Sequence, residues 1–101
     1  MGKRFYVGTK DEVGDKKIIE VDGEPIIIVK HGDNFYAIHG ICPHEMLPME
    51  DGWIEDNFYV CPWHMAKFDI SSGKVSDDTP WASDIRTYKV IIEESKIYIE
   101  I

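Results

Sequence analysis

The chain has 101 residues and a formal net charge of −8, with 44% apolar and 30% charged residues. That is the length of one domain, 1–101, with enough apolar material for a modest core. The acidic balance excludes nucleic acid as a partner, since phosphate binding needs a basic face, and the longest apolar run, Ile26 to Val29, is far too short to span a membrane.

Residues Met1 to Lys10 lack the apolar stretch of a signal peptide. Met1-Gly2 suggests myristoylation, but Tyr6 stands where that motif wants Ser or Thr. A cytoplasmic protein without membrane contact is expected. The two cysteines then read as metal ligands rather than a disulfide.

In chain order the pattern is of short strands separated by turns. Phe5 to Val7 begins it, and a polar connection from Thr9 to Asp15 is long enough for a loop or one helical turn. Lys17 to Val21 and Pro25 to Val29 flank Asp22-Gly23, a strong hairpin signal. Gly32-Asp33-Asn34 turns the chain into Phe35 to His39, and Gly40 leads into the first cysteine-bearing loop. Trp53 to Glu55 and Phe58 to Val60 form a second hairpin at Asp56-Asn57, delivering the chain to the second loop. Lys67 to Ile70 and the Ser72-Gly73 turn close that unit. Ser76 to Ser83 is irregular, and Ile85 to Glu93 with Lys96 to Ile101 make a last hairpin. Ile97, Ile99 and Ile101 alternate with Tyr98 and Glu100, the period of a half-buried strand. His31 reads as a solvated loop residue, His39 as structural, and Tyr36, Tyr88 and Tyr98 as strand aromatics. The chain shows no repeats and no linker. The expected fold is all-β, a sandwich or barrel carrying an inserted unit over about 40–80.

The chemistry sits in that insertion. Cys42-Pro43-His44 and Cys61-Pro62-Trp63-His64 each pair a thiolate with an imidazole, sixteen residues apart. Two thiolates and two imidazoles suit an iron–sulfur cluster or zinc.

This pattern resembles the Rieske-type [2Fe–2S] family, whose signature is Cys-x-His, about sixteen residues, then Cys-x-x-His. Leu47 matches the apolar position of the family's first loop, and Phe68-Asp69 with Ser72-Gly73-Lys74-Val75 resembles the strand and turn after the second. Pro80 falls where the family's proline loop covers the cluster. The resemblance implies one [2Fe–2S] cluster held by Cys42, His44, Cys61 and His64, the cysteines on one iron and the histidines on the other. It also implies a Rieske-like β-sandwich or barrel with two ligand loops. Neutral imidazoles in place of two thiolates make the oxidised centre less negative, so an electron is accepted more readily than by an all-cysteine cluster.

High-potential members continue the second loop as His-Gly-Ser-x-Tyr, with both hydroxyls donating to the cluster. Here Ala66 and Phe68 occupy the hydroxyl positions, and no third cysteine supplies the extra disulfide of those proteins. Fewer donors to sulfur lower the potential, toward roughly −150 mV or somewhat below. Pro43 and Pro62 cannot donate to sulfur, so the amides of Glu45 to Leu47 and of His64 to Ala66 are the expected donors. Met46, Leu47, Trp63, Met65 and Pro80 are expected to shield the cluster from water. Glu45, Glu50, Asp51, Glu55 and Asp56 crowd the region as a solvated face or, if they dock, a surface for a basic partner.

The function implied is a soluble electron carrier, not an enzyme, passing single electrons from a flavin-dependent reductase to a terminal oxygenase or another acceptor. A small Rieske-type subunit of a larger oxidoreductase such as nitrite reductase is the alternative. A structural zinc module is the remote one, because zinc knuckles usually begin Cys-x2-Cys. A Cys–His hydrolase fails, since each thiolate would be spent as a ligand.

Overall fold

A computed structural model of the chain describes residues 2–42, 46–63, 65–80 and 82–101. Nine strands are found among them: Arg4–Thr9 (β1), Lys16–Val21 (β2), Glu24–His31 (β3), Asn34–His39 (β4), Trp53–Glu55 (β5), Phe58–Val60 (β6), Lys67–Asp69 (β7), Thr87–Glu93 (β8) and Lys96–Glu100 (β9). Between β1 and β2 the polar connection makes one helical turn, Lys10–Val13 (α1). Thr9 caps it through a reciprocal box: Glu12 N–H donates to Thr9 Oγ1 at 3.2 Å, and Thr9 N–H to Glu12 Oε1 at 2.7 Å. The chain is all-β, as the turn spacing predicts.

Six strands form one antiparallel sheet in the order β1-β9-β8-β4-β3-β2. The sheet curls because β8 changes partners along its length. Thr87 and Tyr88 pair with β4, whereas Lys89 to Glu93 pair with β9. The two outer strands, β1 and β2, are brought together at a bulge. Val7 is the extra residue between Tyr6 and Gly8, and its carbonyl accepts a 2.9 Å hydrogen bond from Lys17 Nζ on β2. A bulge leaves one residue outside the ladder, and here a lysine from across the seam satisfies it.

The Ile26-Ile27-Ile28-Val29 run is continuous because β3 is buried on both faces. Ile26 and Ile28 face the barrel interior with Val7, Phe35, Tyr88, Ile97 and Ile99. Ile27 and Val29 face a second core under the inserted unit, joined by Ile38 of β4. That unit is built on a small sheet in the order β5-β6-β7. Its cross-strand row Ile54–Tyr59–Phe68 lies against the second core.

Two sequence expectations need correction. The strand expected from Ile85 begins at Thr87, because Ile85 N–H donates to Gly73 O (2.7 Å) and its side chain is drawn into the second core. His31 is not a solvated loop residue. It ends β3, with Nε2 3.2 Å from Asn57 Oδ1, and so links the barrel to the β5–β6 turn. His39 is structural, as expected: its N–H donates to Arg86 O, and its Nδ1 is 3.4 Å from the Tyr88 hydroxyl.

Candidate metal centre

The two cysteine loops are built alike. In the first, an Ile41–Pro48 bridge closes the base, Cys42 N–H donates to Leu47 O (2.8 Å), and Met46 N–H donates back to Cys42 O (2.7 Å). In the second, the Val60–Lys67 pair closes the base, Cys61 N–H donates to Ala66 O (2.8 Å), and Met65 N–H donates to Cys61 O (2.9 Å). The methionine four residues after each cysteine is left-handed, with φ of 57° at Met46 and 63° at Met65. The equivalence is written in the chain as Cys-Pro-x-x-Met, twice. Reading the chain as free of repeats missed it, because the histidine falls at the third place of one loop and the fourth of the other.

Cys42 and Cys61 are both fully buried at these matched places, in one apolar cluster with Ala66 and Phe68. Ala66 and Phe68 are therefore inside the unit, where a hydroxyl in their stead would be screened from water. His44 and His64 lie outside the described residues, as does Glu45. Among the described residues, no group of three or more His, Cys, Asp or Glu is placed to hold a metal. The Met46 and Met65 amides, two of the expected donors, each donate to the carbonyl of their own loop's cysteine.

The expected shield residues lie on the outside of the loops: Met46 is 74% exposed, and Leu47, Trp63, Met65 and Pro80 also face solvent. They form an apolar outer rim. Trp63 also bridges the loops, its Nε1 donating to Pro48 O at 2.6 Å.

Residues that carried no signal in the sequence hold the loops in place. Met49 N–H donates to Gly40 O, while Met49 O accepts from Gly52 N–H and from the Tyr59 hydroxyl at 2.5 Å. Burial pushes the Tyr59 hydroxyl pKa well above its usual value, so the proton needed for that bond stays in place. Lys16 Nζ, from β2, donates to Glu50 O, to Gly52 O (2.9 Å) and to Tyr59 Oη (3.4 Å). Gly52 must be glycine, since a Cβ there would lie 2.3 Å from Val60 O. On the far side, the irregular segment is tied to β7: Ser76 N–H donates to Lys67 O, and Lys67 N–H to Thr79 Oγ1. Glu50, Asp51, Glu55 and Asp56 are exposed, and Glu55 also meets Lys67 at 3.6 Å and Trp53 Nε1 at 3.2 Å.

A family model for the Rieske [2Fe-2S] domain matches residues 3–89. The chain belongs to the Rieske family. Among its Rieske relatives, the ferredoxin component of the naphthalene 1,2-dioxygenase/salicylate 5-hydroxylase systems of a Ralstonia species is 33% identical over 87 residues, covering 86% of this chain and 83% of that protein. The solved ferredoxin of carbazole 1,9a-dioxygenase from Nocardioides aromaticivorans IC177 superposes with a TM-score of 0.85 at 27% identity, covering 95% of each chain. A putative NADH-dependent nitrite reductase small subunit from Mycobacterium tuberculosis has a TM-score of 0.86 over 100% of this chain and 96% of its own. At 16% identity, that last likeness speaks for the fold alone. No helix among the described residues is long and apolar enough to cross a membrane.

Proposed function

We propose that this Rieske chain is a cytoplasmic one-electron carrier holding a single [2Fe–2S] cluster. Cys42 and Cys61 would ligate one iron, and His44 and His64 the other. The observation that carries the reading is the pair of matched loops, each presenting a fully buried cysteine to the same interior. Iron would take both cysteines as thiolate ligands and offset the charge that burial otherwise disfavours. When bound, the cluster accepts and releases one electron without making or breaking a bond in a substrate.

The chain's own residues set the conditions for that exchange. Cys42 and Cys61 are closed off from water, and the loops that bear them are held from behind by Met49, Tyr59 and Lys16. Ala66 and Phe68 donate no side-chain hydrogen bond, which supports a potential at the low end of the Rieske range, roughly −150 mV or somewhat below. The apolar rim of Met46, Leu47, Trp63 and Met65 lies on the outside of the loops, where it would cover the cluster's approach and meet a partner. The dioxygenase ferredoxins among the relatives support a terminal oxygenase as acceptor, and the donor implied by the family resemblance is a flavin-dependent reductase. They favour this over a nitrite reductase subunit, which is supported by fold alone.

An EPR-monitored redox titration of the purified protein tests the proposal. A reduced-state signal with the low average g value of an imidazole-ligated cluster, appearing only at negative potential, is the expected result. Zinc in place of iron would overturn the carrier role, and a strongly positive midpoint would overturn the low-potential assignment.

A further inference from the structure

We propose that Lys16 is a positioning residue for the cluster site, clamping the exit of the first loop onto the strand that enters the second and setting a fixed positive charge behind the cysteines. The inference rests on the carrier reading for its redox part and on geometry for the rest. Lys16 lies on β2, in the barrel, and its ammonium reaches across to Glu50 O, Gly52 O and Tyr59 Oη. An ammonium has three N–H donors, and each has an acceptor here. Tyr59 passes the connection on, its hydroxyl donating to Met49 O at 2.5 Å, two residues before its own chain reaches Cys61. The carbonyls of residues 49, 50 and 52 are thus held by one lysine–tyrosine pair, and Met49 leads directly back to the Leu47–Cys42 turn. Through Lys16 the barrel fixes the spacing of the two loops.

The same side chain has an electrostatic effect. Its acceptors are two carbonyls and a hydroxyl, and the carboxylates of Glu50 and Asp51 act on the same Tyr59 hydroxyl, so the ammonium also offsets negative charge at this place. Nζ lies 5.7 Å from the centre of the Tyr59 ring, and Tyr59 packs in the same core cluster as both cysteines. The site is partly buried, so screening by water is reduced. A positive charge held there stabilises the reduced cluster more than the oxidised one, and its loss lowers the potential.

The test uses the cluster-loaded protein and two readouts, the midpoint potential and hydrogen exchange of residues 49–52 by mass spectrometry. In Lys16→Met, exchange in that segment is expected to accelerate roughly tenfold, the equivalent of one lost hydrogen bond, and the potential to fall while cluster absorbance is kept. Lys16→Arg keeps the charge and should keep the potential near that of the parent. Parent-like exchange or an unmoved potential in Lys16→Met overturns the proposal, as does an equal fall in Lys16→Arg. Should Lys16→Met not assemble a cluster, Tyr59→Phe carries the test: it keeps the ammonium but removes the Met49 bond. Faster exchange at an unchanged potential is expected, and parent-like exchange refutes the clamp. A parent protein that binds no cluster would sink the carrier reading instead, leaving the exchange measurement to decide the clamp alone.

Discussion

Replacing Ala66 by Ser and Phe68 by Tyr puts two hydroxyls back where high-potential Rieske proteins have them. Both positions are fully buried and share a core cluster with Cys42 and Cys61, so a hydroxyl there competes with little water. A hydrogen bond to a charged acceptor is worth about 1.5–3 kcal/mol, but only the part that differs between oxidised and reduced cluster moves the potential. Taking that part as about 1 kcal/mol for each donor, and one tenfold step as 59 mV for one electron, each hydroxyl contributes roughly 40 mV. The double variant should therefore titrate about 80 mV more positive than the parent by visible or EPR-monitored redox titration. Thermal unfolding provides the control. Hydroxyls that bond to the cluster leave the melting temperature close to the parent's, whereas two buried and unsatisfied hydroxyls would each cost about 1–3 kcal/mol. At this chain length each kilocalorie corresponds to about 4–8 °C. An unchanged potential with a lowered melting temperature would refute the explanation from missing donors, since the hydroxyls would then be present but misdirected.

Cys42→Ser and Cys61→Ser should each abolish the cluster's visible absorbance and lower the melting temperature, because metal binding is part of the holo folding free energy; an intact spectrum in either would remove that cysteine from the ligand set. Gly73→Ala should destabilise by roughly 2 kcal/mol or more, read by denaturant unfolding. Gly73 has φ +77°, and a Cβ there would sit 2.0 Å from Ile85 O, whose own N–H is bound to Gly73. Asp69 accepts from the Ser71 hydroxyl and amide and from the Ser72 amide, and the Ser71 bond leads in holding its carboxyl below the usual range. A depressed folded-state value adds stability above the ordinary carboxylate pKa, and that stability is lost as pH falls through the depressed value. Asp69→Asn should therefore flatten the acid limb of the stability–pH curve, and an unaltered limb would show that this turn contributes nothing to it.

Much of this protein follows from the sequence by itself, because the interactions concerned are local. Asp22 and Gly23 both take positive φ (53° and 83°), the geometry a tight hairpin needs and one that Asp-Gly announces. The Thr9–Glu12 box and the alternation of Ile97 and Ile99 are equally short-range. The cysteine–histidine spacing names the family for a similar reason, since short loops admit few ways to present ligands. Other features depended on segments far apart in the chain. The β3 isoleucines were legible as buried, but not which of them face the barrel and which the inserted unit, because that depends on two cores meeting at one strand. The carbonyl partners of the Met46 and Met65 amides were not legible, because they exist only once each loop has closed. That the apolar residues expected as a shield stand on the outer rim of their loops was not legible either, since hydropathy records what a side chain prefers and not which way its loop faces. Lys16 shows the limit most plainly. In sequence it is one charge among many on a polar stretch; it becomes part of the site only because the barrel places β2 within reach of carbonyls more than thirty residues away.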